Sequence, residues 1–130
     1  MRQLGIIADD LTGANDAGVQ FAKYGLQTIT VLDLEEKDLK LLSEAAVIVV
    51  DTETRNLNKL EAYERVRRLT ESLVSQKISL IYKKIDSTLR GLPGVELMAV
   101  MRAIGVKVGV VVPAFPANKR IVSGLSLIHI

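Results

Sequence analysis

The sequence predicts an α/β fold: a three-layer, open and mostly parallel sheet. Three observations carry that expectation. Short apolar runs alternate along the chain with stretches of helical period. The run Ala46-Val47-Ile48-Val49-Val50 is apolar at every position, as a strand covered on both faces must be. Four apolar runs also lead directly into clusters of polar and charged residues, the place where ligands bind in such sheets.

Leu4-Gly5-Ile6-Ile7-Ala8 reads as the first buried strand. Ala14, Ala17, Gly18, Phe21 and Ala22 then recur at helical spacing, and Gly25 supplies a stop. Residues 27–32 form a second strand in which Thr28 and Thr30 alternate with Ile29 and Val31. The charged stretch 33–44 holds a short helix at most, and residues 46–50 are the third strand. Leu60, Tyr63, Val66, Leu69, Leu73 and Val74 mark one face of a long helix; Glu61/Arg65 and Glu64/Arg68 give its other face a solvated i,i+4 pattern. Residues 78–82 are the fourth strand. Pro93 opens the next helix at its natural first position, Val95, Met98 and Met101 are its expected buried face, and Gly105 closes it. Residues 106–112 are expected as a fifth strand ending at Pro113. The alternation is Rossmann-like, with no internal repeat and no linker.

With 130 residues, 48% of them hydrophobic, the chain amounts to one domain with a real core. Seventeen basic against fifteen acidic residues leave a net charge of only +2, well mixed along the sequence. Nucleic-acid binding is not indicated, because no basic stripe exists and the three tyrosines and two phenylalanines are not interleaved with the cations. The absence of cysteine excludes disulfides and thiolate metal sites. No apolar run approaches membrane-spanning length, so no membrane association and a cytoplasmic location are expected. Residues 125–130 match a translation of the transposon end sequence used in preparing sequencing libraries. They are expected to be an artefact, with residues 1–124 an incomplete domain; the alternative is a natural C-terminal strand. On the artefact reading His129, the one histidine, carries no chemistry.

The chemistry collects at the expected carboxyl ends of the strands. The first strand runs into DDLTGAND (9–16), the third into DTETRN (51–56), the fourth into KKIDSTLRG (83–91) and the fifth into PAFPANKR (113–120). The second offers only Asp33 and is expected to lie away from the site. Asp9 and Asp10 stand where a dinucleotide fold would place Gly-x-Gly-x-x-Gly, and that fingerprint is missing. Two carboxylates suit a helix N-terminus electrostatically, which is the plain alternative to a functional role. They also repel phosphate, so this turn better fits substrate hydroxyls, a general base or a water-held Mg²⁺. Arg55 and Arg90 are candidate carboxylate clamps, by virtue of the guanidinium's two-pronged geometry; the alternative is surface solvation. Lys84 and Asp86, two apart, share one side of an extended segment, as ligand groups or as an ion pair, while Lys83 points the other way. Ser87 and Thr88 are hydroxyl donors or caps, and Asn118 and Arg120 are weaker candidates.

Four blocks together, DDLTGAND (9–16), DTETR (51–55), YKKIDSTLRG (82–91) and PAFPANKR (113–120), resemble the N-terminal domain of the four-carbon acid sugar kinase family, in family order. That family phosphorylates threonate, erythronate and 3-oxo-tetronates, and a second, C-terminal domain binds ATP. Two departures stand out: Leu92 where the family usually has Asn, and Lys119 where it usually has Gly. The resemblance implies the sugar-acid-binding half of a two-domain kinase, with ATP and Mg²⁺ held mainly by the absent domain and no metal held here. It implies that Arg55 and Arg90 hold the substrate carboxylate, with Asp9 lining the site and Thr12, Ser87 and Thr88 binding hydroxyls. Asp10, or with less support Asp86, accepts the proton of the 4-hydroxyl, and Lys84 offsets phosphoryl charge. The partner is a small sugar acid, and a homo-oligomer is compatible with the sequence. Two rivals are a haloacid-dehalogenase-like phosphatase and a non-catalytic binding module. For the first, Asp10 and Thr12 fit the Asp-x-Asp-x-Thr pattern, but Ala8 replaces the nucleophile.

Overall fold

The structure, a computed structural model, describes residues 3–32, 34, 42–78 and 80–124, and the backbone of 126–129. Its order is β1 (Leu4–Ala8), α1 (Leu11–Ala22), β2 (Thr28–Val31), β3 (Val47–Asp51), α2 (Lys59–Ser75), β4 (Leu80–Lys83) and α3 (Pro93–Ile104). A 3₁₀ turn at Pro116–Asn118 then leads into a hairpin of β5 (Arg120–Ser123) and β6 (Ser126–His129). The first four strands form one parallel sheet in the order β2-β3-β1-β4.

β1 and β3 are covered on both faces, as their unbroken apolar runs require, while Leu80 and Tyr82 leave one face of β4 open to solvent. Ile6, Ala8, Val47 and Val49 meet Ala14 and Ala17 of α1 on one side. Ile7, Ile48 and Val50 meet Val66, Leu69 and Leu73 of α2, and Ala99 and Val100 of α3, on the other. Burial of side chains such as Leu69 and Leu73 is worth about 1.5–3 kcal/mol each. Because β1 continues into α1 on one face and β3 into α2 on the opposite face, a crevice opens between the carboxyl ends of these neighbouring strands. The second strand is an edge strand beyond β3, away from that crevice. Asp33 and most of the charged stretch expected to hold a short helix lie outside the described residues.

The expected fifth strand does not form. Residues 106–112 join no sheet, and Val108, Val110 and Val112 are 81%, 85% and 69% exposed. Valine favours a strand only where a partner and a covering layer exist. Here the segment instead runs beside α3, where a Cβ on Gly109 would lie 3.1 Å from Met101 Sδ. The buried face of α3 is also rotated from expectation, to Glu96, Ala99 and Val100, with Met98 exposed. On that face Glu96 pairs with Lys83. On α2, Leu60 and Val74 are exposed and Ala62 and Thr70 take their share of the buried stripe. Surface ion pairs there include those of Arg67 with Glu64 and Glu71, while Arg65 donates to the Thr52 carbonyl.

Helix ends follow side-chain chemistry. Asp10 caps α1 by accepting from Gly13 N, and Asn58 caps α2 by accepting from Leu60 N and Glu61 N. Leu92 precedes α3 with no side-chain cap. Lys119 adopts φ 55°, the left-handed backbone that glycine takes without penalty and lysine only at a cost. Leu92→Asn is expected to raise the unfolding free energy by about 1 kcal/mol in urea denaturation. An unchanged or lower value would show that the half-buried leucine side chain matters more than the uncapped N–H groups.

Candidate functional site

The carboxyl ends of β1, β3 and β4 are drawn together by the main chain. Thr52 N donates to Ala8 O (2.9 Å), Arg55 N to Asp9 O (3.2 Å) and Lys84 N to Ile7 O (2.8 Å). The residues that follow each strand therefore share one crevice.

Arg55 sits at its centre. Nε and Nη2 donate to the two oxygens of buried Asp9 at 2.9 and 3.1 Å, and Nη1 donates to Asp10 Oδ2 at 2.5 Å. Asp86 Oδ1 lies 3.9 Å from Nη2. The Asp9 carboxylate holds this guanidinium still more firmly protonated than an ordinary arginine. The other Asp10 oxygen accepts from Gly13 N (2.9 Å), and a Cβ on Gly13 would fall 2.7 Å from it, so a side chain there would expel the cap.

Asp86 organises the turn after β4. Its Oδ2 accepts from Thr88 N (2.9 Å), from Thr88 Oγ1 and from Arg90 Nε (3.1 Å); its Oδ1 accepts from Arg90 Nη2 (2.7 Å). The Arg90 guanidinium first, and then the Thr88 donors, hold the Asp86 carboxyl well below the usual carboxylate range. Leu89 (φ 58°) and Gly91 (φ 82°) turn the chain through left-handed conformations, and a Cβ on Gly91 would press to 3.0 Å from Asp9 Oδ2. The turn thus lies directly on the Asp9–Arg55 pair. Ser87 Oγ accepts from Arg120 Nη1 (2.5 Å), so the last polar loop reaches the crevice although its expected strand is missing. Lys84 Nζ donates to Ile85 O (2.7 Å) and lies near the start of α1, within 3.7 Å of where a Gly13 Cβ would be.

Asp9, Asp10, Arg55, Asp86 and Arg90 are joined through ion pairs, with Lys84, Ser87 and Thr88 beside them. Thr12 is exposed on the first turn of α1. Three carboxylates meet the three cations Arg55, Arg90 and Lys84, and Arg120 adds a fourth through Ser87. Both arginines are engaged with carboxylates, Arg55 largely enclosed and Arg90 with its side chain 65% exposed. Among the described residues no group of three His, Cys, Asp or Glu is arranged to hold a metal ion.

Sequence reasoning missed the layer beneath. Glu96 and Lys83 form a buried ion pair at 2.6 Å. Thr54 Oγ1 donates to Glu96 Oε1 (2.7 Å), and the single Thr52 hydroxyl proton has two acceptors in reach, Thr54 Oγ1 (2.7 Å) and Ala8 O (2.8 Å). Strand alternation did place Lys83 opposite Lys84, but a glutamate in a first helical turn reads as a favourable dipole charge, and no local pattern marks it as buried. Asp51 was also passed over. It is fully buried; Oδ1 accepts from Glu53 N (3.0 Å), and no partner reaches Oδ2. Burial pushes its carboxyl up.

The sequence description of a sugar-binding N-terminal domain matches residues 4–128. The D-erythronate kinase of Heliobacterium modesticaldum is 42% identical over 131 residues, which cover 99% of this chain and 30% of that protein. The D-threonate kinase of Salmonella typhimurium is 41% identical over 116 residues, 88% of this chain and 27% of that protein. Among solved structures, a domain of unknown function from Bordetella bronchiseptica, with bound citrate and as a domain-swapped dimer, has a TM-score of 0.90 at 36% identity, covering 98% of this chain and 33% of that one. The chain therefore spans about 30% of the length of the curated relatives it matches.

Two outcomes follow from the charges. Asp86 has a folded pKa below its unfolded value, so its stabilisation is complete above about pH 4 and fades as pH falls toward the folded value. Asp86→Asn should lower stability at pH 7 and flatten the stability-versus-pH curve below about pH 4, read by urea unfolding at stepped pH; an unchanged curve would contradict the assignment. Glu96→Ala leaves the Lys83 ammonium buried without its counter-ion and should cost about 3–5 kcal/mol in the same assay.

Proposed function

The chain belongs to the sugar-binding N-terminal domain family of the four-carbon acid sugar kinases, and from that premise we propose that it is the substrate-binding part of an ATP-dependent kinase. Its substrate is a four-carbon sugar acid (threonate, erythronate or a 3-oxo-tetronate), phosphorylated at the 4-hydroxyl. The observation that carries this reading is the convergence of Arg55, Arg90, Lys84 and the Ser87–Thr88 hydroxyls with three carboxylates at one set of strand ends.

In this reading Arg90, the more exposed guanidinium, takes the substrate carboxylate first, and Arg55 completes the clamp from its anchored position on Asp9. Ser87, Thr88 and Thr12 bind hydroxyls. Asp10 accepts the proton of the 4-hydroxyl: its side chain is 26% exposed, against 9% for Asp86. Lys84 supplies positive charge beside the accepting hydroxyl.

The described residues do not fit a nucleotide. No glycine-rich phosphate loop follows β1, and Asp9 and Asp10 occupy the turn where phosphate would need to bind. ATP with Mg²⁺ is accordingly assigned to the part of the protein beyond this chain, and the chain alone should not turn over. A cytoplasmic location and self-association complete the proposal. Among the described residues no helix is long and apolar enough to cross a membrane, and the Bordetella relative is a domain-swapped dimer.

Calorimetric titration should give weak binding of D-threonate or D-erythronate to the 130-residue chain, reduced about tenfold by Arg90→Ala through loss of a charge-assisted pair. ATP-dependent phosphorylation by the purified chain, or an unchanged affinity in Arg90→Ala, would contradict the respective assignments.

A further inference from the structure

A buried charge pair is an expensive way to fill a core. Replacing one with apolar side chains of similar volume is often neutral or stabilising, so its presence calls for a reason other than stability. Lys83 and Glu96 keep only 4% and 1% of their side-chain surface exposed, and their contacts suggest that reason.

Glu96 is the hub. Its Oε2 takes the Lys83 ammonium at 2.6 Å and its Oε1 accepts from Thr54 Oγ1 at 2.7 Å. Lys83 Nζ also donates to the Lys84 carbonyl at 2.8 Å. Because Thr54 gives its proton to Glu96, its oxygen accepts from Thr52 Oγ1 at 2.7 Å, and Thr52 N donates to Ala8 O at 2.9 Å. One connected network therefore runs from helix α3 to the ends of β4, β3 and β1. Each residue where it ends stands next to a site residue in sequence: Lys83 before Lys84, Thr54 before Arg55, Ala8 before Asp9. The side chains of Glu96, Thr52 and Thr54 are enclosed, so they cannot touch a ligand in the crevice.

We infer that Glu96, acting through Lys83, Thr54 and Thr52, is the positioning residue of this site: it sets the mutual placement of Lys84, Arg55 and Asp9. Hydrogen bonds from enclosed groups fix the rotamers and backbone of the residues that do touch ligand, and an error of about 1 Å in such placement can cost two orders of magnitude in function. Only the ligand-binding part of the inference rests on the sugar-acid reading above.

The test separates positioning from stability. In the 130-residue chain, Lys83→Met combined with Glu96→Leu replaces the pair with apolar groups of similar size. Its urea midpoint should match or exceed that of the unmodified chain, while D-threonate or D-erythronate affinity falls about tenfold or more and the Arg55 Nε–H NMR resonance shifts. A double variant that binds as the unmodified chain does, with an unmoved Arg55 resonance, overturns the inference. Thr54→Val guards against a double variant that fails to fold, because it removes only the hydroxyl linking Glu96 to the neighbour of Arg55. It should shift the same resonance, and an unmoved one in the folded variant is equally fatal. If the unmodified chain binds neither tetronate and yet the Arg55 resonance moves in both variants, the sugar-acid reading fails and the positioning role stands.

Discussion

Everything at the carboxyl edge of this sheet depends on the guanidinium of Arg55 lying between Asp9 and Asp10. Three carboxylates converge where β1 and β4 end, and like charges so close are destabilising unless compensated. Arg55 supplies compensation in a fork that holds both oxygens of Asp9 and one of Asp10. A lysine could neutralise charge there but could not fix two carboxylates in one plane. The arginine is delivered by an abrupt turn after β3, with Glu53 at φ 47° and its N–H held by Asp51. Backbone strain of that kind survives only where surrounding contacts over-determine it. Those contacts are the Thr52 and Thr54 hydroxyls on either side of Glu53.

The resulting site is close to electrically neutral. Arg55, Arg90 and Lys84 offset Asp9, Asp10 and Asp86, and Arg120 on Ser87 adds one positive charge, so the crevice presents many directed hydrogen-bonding groups and only a small positive excess. That character suits a small, hydroxyl-rich monoanion better than a polyphosphate, which would need excess positive charge and free N–H groups at a helix start. At α1 that start is already taken by the Asp10 cap.

How much of this was legible follows from particular residues. The first and third strands were plain because Ile6, Ile7 and Val47–Val50 are buried on both faces, and burial on both faces leaves an unbroken apolar run. The strand-end clusters were legible because polar residues directly after such a run have few structural uses. Residues 106–112 carry the same apolar signature yet form no strand, because periodicity reports what a segment prefers and not whether a partner edge accepts it. Glu96 and Lys83 were missed for the opposite reason. Their chemistry predicts exposure, and only their meeting across the helix–sheet interface, thirteen positions apart in sequence, makes burial tolerable. Asp51 was quoted as part of a motif without a role; it is buried at the end of β3 on the same side of the strand as Val47 and Val49, which pack against α1.

The proposed function requires the ends of β1, β3 and β4 to bind one sugar acid together. The most direct measurement is titration of the isotope-labelled chain with D-erythronate, following backbone and arginine side-chain resonances by NMR. The account expects saturable shifts concentrated at Asp9–Gly13, Thr54–Arg55, Lys84–Gly91 and Arg120, including the Arg55 and Arg90 guanidinium signals. Shifts confined to the charged outer face of α2, or none at millimolar ligand, would contradict it.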